Sequence, residues 1–283
     1  MGLLTPVSDA PTVAPMSELA PYVDVWWHSV GDLLELLESL DDADWDTPTD
    51  LPGWDVRAVA AHTAHLERVL ATGEEEHAEV PEAPHITGLM GMYTEIGVIN
   101  RRTTPPAQII EEIRTHTAAR HEQLLADPPT DPDAVPERVF GGVPWTWRTL
   151  LRNRPLDVFL HEQDIRRAVG RPGNLDSPGA VHTADYLAES FGFVLAKKVG
   201  APTGTTAVLE IEGHAPYAFG VGDDGRGRRL DVVPEQPTVR VSTDRESFLV
   251  LAGGRREAEP TRVVLTGDTA LGEQLVASMA TTP

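Results

Sequence analysis

An α+β fold in two parts, a helical bundle followed by a small mixed domain, is what the 283-residue sequence predicts. Three observations carry that expectation. Four segments in the first part repeat apolar side chains at returns of three and four, the pattern of amphipathic helices. Beyond about residue 200 the pattern changes to short alternating runs with turns between them, the pattern of hairpins. The length exceeds one average domain, and a hydrophobic share of 41% allows a core in each part.

Each element has its own justification. Residues 1–16, rich in Pro and small side chains, read as a flexible arm, residues 17–175 as the bundle and residues 176–283 as the α+β domain. The first helix spans roughly 17–40, with Leu33, Leu36, Leu37 and Leu40 on one face. After the turn "DTPTDLPGW", Asp55 is placed to cap a second helix that Gly73 closes. A third helix opens on Pro106 and stops before Pro128 and Pro129. The fourth covers about 146–169 and contains Pro155, which should kink it. Four such helices pack most simply as a four-helix bundle. One further helix over "AVHTADYLAESFGFVLAKKVG" leads into strands "TAVLEIEG", "YAFGVG", "RRLDVV" and "TVRVST". "RESFLVLAGG" and "ALGEQLVASMA" read as helices with the strand "RVVLTG" between them, and Gly267-Asp268 as a strand end plus helix cap.

Composition excludes several roles. A formal charge of -21 repels polyanions, so neither nucleic acid nor an anionic membrane surface is an expected partner. No apolar run is long enough to span a bilayer and no leader pattern opens the chain, so the expected location is cytoplasmic. The chain has no cysteine, which removes disulfides, thiolate ligands and a cysteine nucleophile. Thiol chemistry here would need a sulfur brought by a cosubstrate.

The stretch "LDVFLHEQDIRR" carries the most chemistry. At about 100° per residue, Asp157 and His161 lie within roughly 40° of each other, one turn apart and beside Val158 and Ile165. On the second helix, His62 falls near the edge of the face formed by Val56, Val59, Leu66, Val69 and Leu70. Buried imidazoles and a buried carboxylate need partners. A divalent metal satisfies all three, and two His plus one carboxylate leave an open fourth position, the ligand set of catalytic zinc. Asp164, His65 and Glu162 are the candidates for orienting the ligands from behind. The plainer alternative is a hydrogen-bonded core His62 beside an i, i+4 Asp157–His161 pair. "HEQDI" is not a zincin motif, because Ile165 stands where the second His is needed. Trp54, Trp145 and Trp147 read as packing at bundle ends. His77, His85, His116, His121, His182 and His214 show no partner spacing.

"LPGWDVRAVAAH", "DVFLHEQDIRRAVGRPG" and "RESFLVLAGGRR…VVLTGDTALGEQLVASM" together resemble the mycothiol-dependent maleylpyruvate isomerase family of actinobacteria, from about residue 20 to the C-terminus. That resemblance implies a DinB-like metal-binding four-helix bundle and a small C-terminal domain shaped like sterol carrier proteins. It implies a metal triad of His62, Asp157 and His161, most simply zinc, although the isomerase itself has Glu where this chain has Asp157, one methylene shorter. It further implies mycothiol as cosubstrate and a small electrophile as substrate, the product arising by isomerisation or S-transfer. The C-terminal domain of the family helps close the site, which makes Arg226, Arg228 and Arg229 candidates for holding the thiol, against the simpler reading of "GDDGRGRR" as a solvated hairpin turn. Two other roles are compatible with the same triad: hydrolysis by metal-activated water, and non-catalytic metal binding or sensing.

Overall fold

The computed structural model describes residues 18–282. Its helical part contains α1 (Ala20–Glu38), α2 (Val56–Thr72), α3 (Gly88–Arg101), α4 (Pro106–Ala126) and α5 (Trp147–Ala168). Helices α1, α5, α2 and α4 pack in a ring, each against two neighbours. Their shared core includes Trp26, Leu33, Leu37, Val59, Ile113 and Val158, all essentially inaccessible. Each such side chain contributes about 1.5–3 kcal/mol by leaving water. Local signals set the ends: Asp55 accepts from the Ala58 N–H at 2.8 Å, and Gly73 closes α2 at φ 77°. Thr146 caps α5 through the Thr149 N–H. Helix α5 runs through Pro155 without interruption, although that residue has no N–H to donate to the turn before it.

Helix α3 is an addition to the four expected helices. It packs against α2, and Gly97 is the reason it can do so. A Cβ at residue 97 would lie 2.3 Å from the Cβ of His65, so only a glycine permits this approach. The glycines at 88, 91 and 97 also interrupt the apolar periodicity that would have announced the helix.

The C-terminal part opens with α6 (Pro178–Ala188), capped by Ser177. The single helix expected here breaks at Glu189 and Ser190; α7 (Phe191–Phe193) follows and runs into a π-helical turn over Val194–Lys198. Five strands then form one sheet: β1 (Thr206–Ile211), β2 (Tyr217–Val221), β3 (Gly227–Arg229), β4 (Val239–Thr243) and β5 (Val263–Gly267), in the order β3-β2-β1-β4-β5. β1 and β4 pair in parallel and the other pairs are antiparallel. The strand expected over "RRLDVV" is shorter than its pattern suggested. β3 ends at Arg229, and Val232 is 77% exposed, so the apolar pair that suggested a strand faces solvent. Helices α8 (Arg245–Ala252) and α9 (Thr269–Ala277) begin on the caps Asp244 and Asp268, the latter directly after Gly267 at φ 80°.

The two parts are not separated by solvent. Helix α6 packs on α1 and α5 and also on α8. One core cluster joins Leu156, Phe159 and Leu160 of α5 to Leu209, Phe219 and Val241 of the sheet. That shared core brings the C-terminal segment against the side of α5 that carries Asp157 and His161.

Candidate metal centre

The turn before α2 builds one side of the site. Gly53 sits at φ 83°, and any Cβ there would lie 2.5 Å from the ring of His85. This turn places the Trp54 indole over the imidazoles, its centroid 5.0 Å from His62 and 6.1 Å from His161. The indole Nε1–H donates to Glu95 Oε2 of α3 at 2.9 Å. Trp54 therefore covers the candidate centre, in place of packing at a bundle end as its sequence position suggested.

His62, Asp157 and His161 come together from α2 and α5, each offering a ligand atom, with those atoms all within 4.8 Å of one another. His62 Nε2 is 3.7 Å from Asp157 Oδ2, and His161 Nε2 is 3.6 Å from Asp157 Oδ1. These gaps are too long for hydrogen bonds. The two rings stand nearly perpendicular, at 80°, with centroids 4.9 Å apart. Two nitrogens and a carboxylate facing one point, without bonds among themselves, fit a divalent ion of the zinc class. The buried Nδ1 of His62 has no hydrogen-bond partner among the described residues, so no protein contact fixes its tautomer.

The carboxylate is held from behind. Arg154 Nη1 donates to Asp157 Oδ2 at 2.9 Å, while its Nε and Nη2 donate to Glu67 Oε1 at 3.0 and 2.7 Å. Trp26 Nε1 donates to the same Glu67 oxygen at 3.1 Å, and Arg120 Nη1 lies 3.9 Å from the other. Arg154 and Glu67 are buried on the inward faces of α5 and α2. Burial pushes the Asp157 carboxyl up, but Arg154, then His161 and His62, outweigh it and hold the acid well below the usual range. Asp157 is thus a carboxylate with one oxygen fixed by Arg154 and the other facing His161.

The expected supporting residues divide. Asp164 Oδ2 lies 3.2 Å from His161 Nδ1, which leaves Nε2 facing the ligand cluster. Asp164 is itself clamped by Arg167 and by Arg255 of the C-terminal part, at 2.5 to 3.0 Å. Burial raises its acid, yet Arg255 and His161 bring it down to about 2. His65 does not bond the triad: its ring packs on Tyr93, neither nitrogen has a partner among the described residues, and burial lowers it to about 4. Glu162 faces elsewhere, accepting from Asn174 and Arg166. Arg226 and Arg228 pair with Asp224 inside their own turn, and Arg229 lies over Tyr217; none of the three reaches the site. Glu67, Arg154 and Arg255 were not singled out by the sequence reading. The signal for two of them was present, since Glu67 and Arg154 are charged residues on apolar helix faces.

The triad lies in the wall of a cleft of about 560 Å³. Bundle residues such as Leu66 and Trp145 form one side, α6 supplies Tyr186 and Leu187, and Arg255, Thr281 and Thr282 close it from the C-terminal part.

A helical bundle bearing a two-His, one-carboxylate cluster, closed by a small mixed-sheet domain, is the class of protein that this fold and site define. The chain belongs to the mycothiol maleylpyruvate isomerase family: residues 26–166 match its N-terminal domain and residues 182–274 its C-terminal domain. Among solved structures it is similar to the mycothiol-dependent maleylpyruvate isomerase, with a TM-score of 0.52 at 19% identity over 88% of this chain and 92% of that one. A histidine-to-alanine variant of that isomerase aligns alike, with a TM-score of 0.51 at 20% identity, 88% of this chain and 92% of that one being covered. At that identity the likeness shows a shared fold. A search of curated proteins gave no match.

Proposed function

We propose that this chain is a metal-dependent enzyme that uses the thiol of mycothiol to attack a small electrophile, as an isomerase or an S-transferase. The observation that carries the reading is the meeting of His62 Nε2, His161 Nε2 and Asp157 in the wall of one cleft. His62, Asp157 and His161 would hold a zinc ion, which would supply a Lewis-acid position able to keep a thiol sulfur as thiolate near neutral pH.

The protein's own residues do the rest. Asp164 accepts a hydrogen bond from the His161 Nδ1–H and so orients Nε2, and Arg154 keeps Asp157 ionised and fixed. Trp54 covers one side of the triad and the apolar walls cover another, which limits the water near the sulfur and favours its attack over hydrolysis. In the reaction, a C–S bond forms at one end of a conjugated double bond, and its electron pair moves onto the carbonyl oxygen. The remaining C–C single bond rotates. Collapse of the enolate breaks the C–S bond and gives the isomer, whereas protonation at carbon retains it and gives the S-conjugate.

The test is His161→Ala with elemental analysis and activity measured with and without mycothiol. Metal content and thiol-dependent turnover should both fall, while circular dichroism stays helical because the leucine-rich faces hold the bundle. Full metal content with full activity would refute the ligand assignment. Turnover independent of added thiol would point to hydrolysis instead.

A further inference from the structure

A second pocket, of about 420 Å³, lies at the C-terminal end of α5 and shares no lining residue with the cleft. Arg166, Arg167 and Arg256 line it, and Asp50 is the single carboxylate among the described lining residues. The chain as a whole has 44 acidic and 23 basic residues, so three guanidinium groups to one carboxylate reverses the balance at this wall. Such a wall attracts a small anion even on a protein that repels polyanions. The C-terminal end of α5 contributes the equivalent of about half a negative charge, small beside three guanidinium groups.

Two of the three arginines are fixed before any ligand arrives. Arg166 Nε donates to the buried Glu162 at 2.6 Å, and Arg167 Nη2 to the buried Asp164 at 2.5 Å. Those carboxylates offset part of the charge from beneath and hold the two planar forks in place, so little freedom is left to lose on binding. Arg166 Nη2 and Arg167 Nη1 have no acceptor among the described residues. Arg256 makes no hydrogen bond among them: its Nε lies 3.8 Å from Asp50 Oδ2, the oxygen that Arg167 Nε already takes at 2.6 Å. One carboxylate oxygen thus serves two guanidinium groups and satisfies one.

The number of spare donors selects the anion. A planar carboxylate offers two oxygens, whereas a phosphate monoester offers three, one for each guanidinium group, and carries about two negative charges near neutral pH. The pocket is larger than a phosphate ion, and Pro48 and Pro172 supply apolar wall for an organic remainder. We propose that this pocket binds a small phosphate monoester, its phosphoryl oxygens held by Arg166, Arg167 and Arg256 and its organic part against Pro48 and Pro172. The site stands apart from the triad and does not depend on the thiol-addition reading.

The experiment is a calorimetric titration of the full chain at low salt with phenyl phosphate, inorganic phosphate and benzoate. Phenyl phosphate should bind one to one and more tightly than either of the others. Arg256→Gln should weaken it by at least about 10-fold, the loss expected for a charge-assisted hydrogen bond, and Arg256→Lys should fall between the two. Arg256 is 57% exposed, so these variants should fold as the unaltered chain does. His161→Ala should leave the phenyl phosphate affinity unchanged, since the triad is no part of the site. No binding of phenyl phosphate, benzoate binding as tightly, or an affinity unmoved by Arg256→Gln would overturn the proposal. Binding lost in His161→Ala but kept in Arg256→Gln would place the anion on the triad and overturn it too. Inorganic phosphate binding as tightly as phenyl phosphate would overturn the assignment to a monoester.

Discussion

The two helices that supply the candidate ligands support them in opposite ways. On α5, both ligands are braced: Asp157 by Arg154 and Glu67, His161 by Asp164 with Arg167 and Arg255 behind it. On α2, His62 has an unpartnered Nδ1, and its neighbour His65 has no partner for either nitrogen among the described residues. What fixes His62 is packing, under Trp54 and edge-on to His161. The α5 wall is therefore held by charge and the α2 wall by shape. A site built this way should fail differently from its two sides: charge changes should loosen α5, and acid should attack α2.

The largest effect should come from the α5 brace. Arg154→Met leaves Glu67 buried with Trp26 and a distant Arg120 as its partners, and removes the cation that fixes Asp157. Breaking one half of a buried ion pair costs about 3–5 kcal/mol. Urea unfolding should show that loss, and adding Glu67→Gln should recover part of it, because the uncompensated charge is then gone. A loss below about 1 kcal/mol would mean the brace is ornamental.

Acid should expose the α2 side. Burial holds His65 in the folded chain at about 4, below 6.5 for a free imidazole. The neutral ring's contribution to stability is complete above pH 6.5 and is lost as pH falls towards 4, because the unfolded chain takes up the proton first. The shift corresponds to about 3 kcal/mol. Comparing wild type with His65→Leu at pH 7 and pH 4.5 isolates this group from the other acids. The gap between the two proteins should move against wild type by about 2 kcal/mol, most of the full amount, because pH 4.5 stops short of the folded value, and a constant gap would deny His65 the role.

Much of this contrast was legible in the sequence, but unequally. Leucine spacing announced α1, and Asp55 and Gly73 marked the ends of α2. Helical counting placed His62, Asp157 and His161 on or beside inward faces, and the folded chain brings their ligand atoms into one cluster. The bracing was hidden because its partners are remote in the chain: Arg154 and Glu67 are 87 residues apart, Arg255 and Asp164 are 91 apart. Periodicity within one helix carries no information about such pairs. Helix α3 was hidden for another reason, since the glycine that lets it approach α2 also weakens its pattern. The contact between Trp54 and Glu95 depends on α3 and was lost with it.

A smaller effect should follow from loosening His161 alone. Asp164→Asn keeps the shape and removes the charge that holds Nδ1 and pairs Arg255. Removing such a carboxylate behind a ligating His lowers metal affinity by about 10–100-fold. Competition with a chelator should read that range, with metal still bound at saturating zinc. Unchanged affinity would show that packing positions His161, as it does His62, and the contrast between the two helices would collapse.

The smallest effect is predicted at the hairpin between β2 and β3, and it bounds the comparison from outside. Arg228 donates twice to Asp224 within its own turn, Arg226 lies 3.8 Å from the same carboxylate, and both are more than half exposed. Exposed pairs of this kind are screened and contribute little. Arg229 lies over the Tyr217 ring at 5.0 Å and not on the cleft. Alanine at all three positions should therefore leave zinc affinity and the KM for mycothiol unchanged, in contrast to Asp164→Asn, which acts through the same type of charged contact but on a ligand. A tenfold rise in the thiol KM of the triple variant, with zinc affinity intact, would assign the hairpin to thiol capture. The C-terminal domain would then act on the reaction through its sheet edge, in addition to the Arg255 clamp on Asp164.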